Sequence, residues 1–280
     1  MNGKNQRLDI AVQKKSVSIS RSTASKLIEA GRVKINNKVV LKPSFKVSEE
    51  DKIIVDDVFK ENQEKITIKV IYEDDDVIVI DKPSGLLSHA KGNFNPEATV
   101  ASWLKPKYTG SDSNRAGIVH RLDRATSGVM IVARNEPSSK WLTKQFSTRK
   151  VKKSYIAICS GHLKLKEAII DLPIERNPKL PQTFRVGSGG RVAETSYKVI
   201  KESSKYSLIE LKPTTGRTHQ LRIHLAYLGH PIVGDSLYDG PKGDRLYLHA
   251  TSLELTLPNR ERKTFVSKLP KEFKILMSDE

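Results

Sequence analysis

Near the start of the chain the apolar positions follow a helical period, and through most of the remainder they follow the two-residue period of strands. Ala24, Leu27 and Ile28 share one helical face, with Ser20 before them and Gly31 after Ala30. This predicts a helix from Ser20 to Ala30, capped by the serine and stopped at the glycine. Val33-Lys34-Ile35 then alternates apolar and basic, Asn36-Asn37 is a turn pair that tolerates positive φ, and Lys38 to Leu41 resumes the apolar run. With an amphipathic Leu8 to Val12 before and a strand at Lys52 to Val55 after, the first region reads helix, helix, hairpin, strand.

The rest is strand-rich. Ile66 to Tyr72 and Val77 to Ile80 flank the acidic turn Glu73-Asp74-Asp75-Asp76. Further strands are predicted at Val129 to Ala133, Tyr155 to Cys159, Ser207 to Leu211 and Leu253 to Leu257, and helices at Ala98 to Leu104, Pro137 to Ser147 and Thr218 to Leu228. No regular βα alternation and no internal repeat is present, so the fold class is α+β. We expect a small αβ module followed by a larger domain with a mixed or antiparallel central sheet flanked by helices and loops.

Charge sharpens this division. The chain has 280 residues, a net charge of +17 and a sequence pI near 9.8. Residues 1–46 hold 11 Lys/Arg against 2 Asp/Glu, whereas residues 47–81 hold 4 against 12. The polar segment from Asp57 to Lys65 reads as a linker, giving domains at 1–60 and 61–280. A surplus of cations favours polyanionic partners, because each phosphate contact releases counterions. Arg21, Lys26, Arg32, Lys34 and Lys38 are near one another in sequence and form the candidate phosphate-tracking set, although a run of charge is more often only a solvated face. No apolar run spans a membrane, the N-terminus has no apolar core, and the single cysteine, Cys159, forms no internal disulfide. A cytoplasmic location is therefore expected. Nothing suggests an obligate dimer, so a monomer is expected.

Three segments place polar groups inside apolar surroundings. In His120-Arg121-Leu122-Asp123-Arg124, an aspartate between two arginines would be held ionised if their charges lie near it, and could serve as nucleophile, anion stabiliser or base. Taken alone, a structural salt bridge explains it better. In Gly216-Arg217-Thr218-His219-Gln220-Leu221-Arg222, Thr218 or Thr215 can cap a helix whose Leu221, Leu225 and Leu228 face the core. His219 and Arg222 share another face, and Arg217 lies at the positive end of the dipole. A basic surface helix fits these residues equally well. In Lys153-Ser154-Tyr155-Ile156-Ala157, Tyr155 and Ala157 share one strand face, as core residues do.

Together these segments resemble a known family. His120-Arg121-Leu122-Asp123 followed by Thr126-Ser127-Gly128 resembles the central motif of the RluA-type pseudouridine synthases. Asp81-Lys82-Pro83-Ser84-Gly85-Leu86, Lys153 to Ala157 with Gly161, Gly216 to His224 with Gly229 to Ile232 and Gly234-Asp235, and Leu248-His249-Ala250 match further family blocks in order, over roughly residues 66 to 270. Where many relatives carry His-Pro, this chain has His89-Ala90. The first region, over roughly residues 6 to 56, resembles the RNA-binding module of ribosomal protein S-four.

The resemblance implies an isomerase that breaks the bond from ribose to uracil nitrogen, rotates the base and rejoins it through carbon. It makes Asp123 the catalytic residue, which either attacks the sugar or stabilises its cation-like form. Arg222 is expected to pair with Asp123. Tyr155 is expected to pack on the base, with a possible part in proton transfer, and Arg121 to take the space of the extruded base. His120, Arg217 and His219 complete the substrate-binding set. No cofactor and no metal are expected. Large-subunit ribosomal RNA is the preferred partner, ahead of transfer RNA.

Other readings fit less well. A purely RNA-binding assembly factor has no use for Asp123 beside Tyr155 and Arg222. A nucleoside hydrolase wants a second carboxylate, and none stands near Asp123 in the sequence. His219, His224 and His230 do not share one helical face as three metal ligands would. Gly187-Ser188-Gly189-Gly190 lacks the third glycine of a dinucleotide loop, having Val192 in its place.

Overall fold

A computed structural model describes residues 6–15, 20–55, 66–89, 97–110 and 117–278. The linker expected at Asp57 to Lys65, and Ala90 of the His89-Ala90 pair, lie outside the described residues. The chain forms two compact units, one built on residues 6–55 and the other on residues 67–89 and 99–278.

In the first unit, β1 (Gln6–Arg7) leads into α1 (Leu8–Lys15), then α2 (Arg21–Glu29), β2 (Val33–Ile35), β3 (Lys38–Val39), β4 (Lys46–Val47) and β5 (Ile53–Val55). Ser20 caps α2 by accepting the Thr23 N–H at 3.2 Å, as its position predicts. Asn36 and Asn37 both take positive φ, 49° and 67°, and turn β2 back onto β3; β5 pairs along the other edge of β2. Leu8, Val12, Ala24, Leu27, Ile28, Val33 and Val47 fill a core of their own. Of the candidate RNA contacts, Arg21, Lys26, Arg32 and Lys38 are exposed and Lys34 is half-buried. Arg21 also has a structural duty. Its Nε donates to Asp9 at 3.0 Å, and Arg7 donates to the same buried carboxylate at 3.0 and 2.9 Å. The Arg7 hydrogen bonds, helped by Arg21, hold the Asp9 carboxyl down at about 2.

The second unit holds β6 (Lys69–Glu73), β7 (Val77–Lys82), α3 (Val100–Leu104), β8 (Ser127–Ala133), α4 (Glu136–Ser147), β9 (Lys152–Ser160), β10 (Glu167–Asp171), β11 (Ile174–Arg176), β12 (Phe184–Val186), β13 (Glu194–Glu202), β14 (Tyr206–Pro213), α5 (Gln220–Tyr227), β15 (Leu248–Thr256), β16 (Arg262–Val266) and α6 (Lys271–Leu276). Among the described residues, nine of these strands form one mixed sheet in the order β10-β13-β14-β9-β15-β8-β7-β6, with β16 beside β15. Every pairing is antiparallel except β8 with β15, through His249↔Ser127 and Ala250↔Gly128. Gly128 is needed at that crossing. Its φ is 117°, and a Cβ there would collide with the Ala250 carbonyl oxygen. β8 is buried along its whole length, and Ala157, Ile158, Cys159, Ile209, Leu211 and Leu225 form a core between β9, β14 and α5. Among the described residues no helix is long and apolar enough to cross a membrane.

α5 differs from its expected form. It starts at Gln220, and neither Thr215 nor Thr218 caps it. Instead the Gln220 Oε1 reaches back to accept from the Arg217 N–H at 3.0 Å and from the Thr215 hydroxyl at 2.7 Å. Gln220 through Leu225 are all buried, which rules out a surface helix, while Leu228 is 38% exposed and is not a core residue. His224 lies within the fold, bonded to Thr195 and to the Leu172 carbonyl.

Candidate active site

The loop from Gly117 to Thr126 runs into β8, and Asp123 sits on it, with a side chain 20% exposed. The segment after β7 clamps the loop's backbone. Ser88 Oγ donates to the Leu122 carbonyl at 2.7 Å and accepts the Leu122 N–H at 3.2 Å. Gly85 N–H donates to Arg124 O at 2.8 Å, and Ser84 Oγ donates to Ala125 O at 2.7 Å. Beneath them Lys82, fully buried, donates to the carbonyls of Leu86 (2.8 Å), Pro83 (3.0 Å) and Arg124 (3.2 Å). Burial pulls the Lys82 pKa down to about 7, against the opposing field of Asp123.

His120 anchors the loop from its other end. Its Nε2 accepts the Ile131 N–H at 3.0 Å, and its ring stacks on Phe146 at 4.4 Å. Burial, then the Lys153 charge, depresses its pKa to about 3, so the ring is neutral. The structure thus gives the expected substrate contact at His120 a supporting position within the fold. Arg124 differs too: its Nε donates to the Gly85 carbonyl at 3.0 Å, and the neighbouring arginines are not the cations that approach Asp123 most closely. Within 4 Å of that carboxylate lie Arg222 Nη1 at 3.8 Å and His219 Nε2 at 3.9 Å.

Arg222 has a tighter partner than the expected one. Its Nε and Nη2 each donate to Asp235 at 2.7 Å in a bidentate pair whose carboxylate is completely buried. Burial works against the guanidinium charge, but the Asp235 hydrogen bonds and field, aided by Asp123, hold its pKa above the ordinary value. The longer contact to Asp123 is therefore a single remaining edge of a guanidinium whose plane Asp235 fixes. Tyr238, from the same loop, lies under Arg222, with the guanidinium carbon 5.0 Å from its ring centre, and its hydroxyl meets His219 Nδ1 at 2.8 Å. That hydroxyl also accepts the Phe184 N–H at 3.2 Å. His219 adopts a left-handed φ of 56° at the mouth of α5, and burial lowers its pKa.

Asp123, Arg121, Tyr155, Arg217, His219 and Arg222 all line one pocket of about 120 Å³, so the chain brings its candidate residues from β9, the loop before β8 and the start of α5 to one place. Arg121 is exposed at its mouth. Arg217 Nε donates to Val192 O at 2.9 Å, and its Nη atoms hold no hydrogen bond among the described residues. Burial, then the negative Asp123, raises the Tyr155 phenol well above its usual range, so it is present as the neutral phenol and not as a phenolate base. The floor combines one carboxylate, one fixed guanidinium, a neutral imidazole and a neutral phenol. Such a set suits a reaction in which positive charge develops beside a carboxylate while water is restricted. Among the described residues no group of three His, Cys, Asp or Glu side chains could hold a metal ion.

Comparison with known proteins agrees. The family profile described as RNA pseudouridylate synthase matches residues 76–227, and the S4 domain profile matches residues 6–53. An uncharacterized RNA pseudouridine synthase of Aquifex aeolicus is 38% identical over 248 residues, covering 84% of this chain and 78% of the relative. The ribosomal large subunit pseudouridine synthase D of Escherichia coli K12 is 36% identical over 274 residues, covering 90% and 83%. Among solved structures, human RNA pseudouridylate synthase domain containing 4 superimposes with a TM-score of 0.60 at 28% identity, covering 74% of this chain and 90% of that one. The site and fold thus define an RNA-modifying isomerase. The chain belongs to the RNA pseudouridylate synthase family, with an S4 domain ahead of the catalytic unit.

Proposed function

We propose that the protein isomerises particular uridines of large-subunit ribosomal RNA to pseudouridine, with Asp123 as the catalytic carboxylate. The observation that carries this reading is the Asp123 carboxylate, held on a clamped loop within 4 Å of both Arg222 and His219 in a pocket lined by Tyr155. The ribosomal names of relatives aligned over 90% of the chain favour that RNA over transfer RNA.

In this reading the C1′–N1 bond of the target breaks as Asp123 attacks the sugar or stabilises its cation. The base turns, C1′ bonds to C5, the C5 proton leaves and N1 gains one. Arg222, steadied by Asp235, faces the Asp123 carboxylate at 3.8 Å and keeps it directed at the sugar. Tyr155 packs on the uracil and stays protonated. Arg121 fills the space left in the RNA by the extruded base, for which phosphate contacts at Arg217 and stacking offset an unstacking cost of a few kcal/mol. Residues 1–60, with Arg21, Lys26, Arg32, Lys34 and Lys38, hold structured RNA while residues 61–280 carry the chemistry. The chain works as a monomer in the cytosol without metal or cofactor.

The test is pseudouridine mapping of total RNA from cells lacking the protein, complemented with wild type or Asp123→Asn. Loss at particular large-subunit uridines, restored only by wild type, is expected. Restoration by Asp123→Asn would overturn the role of Asp123, and loss confined to transfer RNA would move the substrate there.

A further inference from the structure

Beside the catalytic pocket lies a second, larger concavity of about 470 Å³. It is formed where the end of α4 turns through Arg149 into β9, and it shares Arg121, Lys153, Tyr155 and Arg217 with the catalytic pocket. Its walls carry four cationic side chains (Arg121, Arg149, Lys153 and Arg217) and no carboxylate. Among the described residues none of these four has a carboxylate within ion-pair distance. Lys153 is the most telling. Burial, then repulsion from Arg149, brings its pKa down to about 8, and among the described residues its Nζ donates only to the Thr215 carbonyl, at 3.0 Å. Arg149 is exposed and Lys153 half-buried on the wall of one concavity, so an anion seated between them meets both cations. One aromatic ring is also present: Phe146, half-buried, covers His120 with one face and borders the concavity.

We propose that this concavity binds the nucleotide next to the target uridine, its phosphate between Arg149 and Lys153 and its base against Phe146. The proposal rests on the reading that an RNA uridine occupies the Asp123 pocket. The shared wall of Lys153 and Tyr155 lets one strand enter both cavities in consecutive steps. The volume falls within the range of sites that enclose small organic ligands, and four cations suit a ribose-phosphate chain and not an apolar one. The enzyme thereby grips the strand on one side of the extruded residue through the α4–β9 turn, independently of the first unit.

The test uses the full chain and an unmodified transcript of large-subunit ribosomal RNA under single-turnover conditions. Arg149→Asn suits the positive φ of 57° at that position, and Phe146→Leu keeps apolar cover on His120 while removing the stacking face. Arg149→Asn is expected to raise the RNA concentration for half-maximal rate about fivefold, lower the slope of log affinity against log salt by about 0.7–0.9, and leave the saturated rate unchanged. Phe146→Leu is expected to cost about fivefold or more in the same concentration, as for one base–aromatic stack. RNA made abasic on one side of the mapped target should lose as much with wild type, and Phe146→Leu should lose nothing further on it. Wild-type behaviour of Arg149→Asn, or full additivity of Phe146→Leu with abasic sites on both sides, would overturn the proposal. If wild type converts neither this RNA nor a pool of transfer RNA transcripts, the substrate reading fails and the proposal goes with it.

Discussion

Replacing Asp235 with asparagine should reduce both stability and rate, and the two losses separate. Arg222 and Asp235 form a pair in which the arginine side chain is 9% exposed and the aspartate 0%. Removing one partner of a buried pair costs about 3–5 kcal/mol. Asparagine keeps one acceptor for one of the two donors, which puts the expected loss at the lower end, near about 3 kcal/mol. The rate loss follows from Arg222 Nη1, 3.8 Å from Asp123. At an effective dielectric near 20, a pair at that distance interacts by about 4.4 kcal/mol, and one at about 6 Å by about 2.8 kcal/mol. A guanidinium that swings away by about 2 Å therefore gives up about 1.6 kcal/mol of the interaction that holds the Asp123 carboxylate in place, and where that energy serves to position the carboxylate for the sugar its loss corresponds to about 15-fold in rate. Single-turnover pseudouridine formation should be measured well below the variant's melting temperature, alongside RNA affinity, which should hold. The double variant Arg222→Met/Asp235→Leu should regain stability, since apolar replacements of buried pairs pack well, yet stay slow. Asp235→Asn with a lowered melting point but a wild-type rate while folded would refute the idea that Asp235 aims Arg222.

Lys82→Met leaves the Pro83, Leu86 and Arg124 carbonyls without their shared donor, and urea unfolding should show a loss of about 3 kcal/mol or more; an unchanged midpoint would show that the clamp is dispensable. The neutral, half-buried His120, with its pKa near 3, binds fewer protons when folded than when unfolded between pH 6.5 and 3. Stability should therefore fall as pH falls through that window, by about 1.4 kcal/mol per pH unit from this group. His120→Gln, which keeps an acceptor for Ile131, should flatten the slope, and an identical slope would count against the assignment. Burial raises the Cys159 thiol to about 12 and leaves it 0% exposed, so alkylation should proceed only as fast as the chain opens; labelling at the rate of a free thiol in the native state would contradict this.

The elements that read correctly from the chain owe their form to local chemistry. The Ser20 cap, the Asn36-Asn37 turn and the β-branched strands β7 and β8 each follow from a few adjacent residues. β13 does not stand out in the sequence because its charged residues Lys198, Lys201 and Glu202 interrupt the alternation, although the strand is paired on both sides by β10 and β14. α5 misled for the opposite reason. Its histidine, glutamine and arginine resemble a solvated face, yet each satisfies a partner elsewhere: Thr195 for Gln220 and His224, Asp235 for Arg222. Lys82 shows the same difficulty in a stronger form. A lysine after the apolar run Val77 to Ile80 reads as the wet end of a strand, but its ammonium lies under a carbonyl 42 residues away. The one local hint was position: a charge that ends a fully buried strand and is followed by Pro83 and Gly85 has to find its acceptors in the turn itself or in whatever lies on it. Here the loop that carries Asp123 lies on it. The opening and central motifs of the catalytic unit are therefore one structural object, a buried ammonium and two serines gripping the backbone that presents the carboxylate. Moving either motif by one residue would misplace Asp123 relative to a guanidinium that Asp235 holds fixed from the other side.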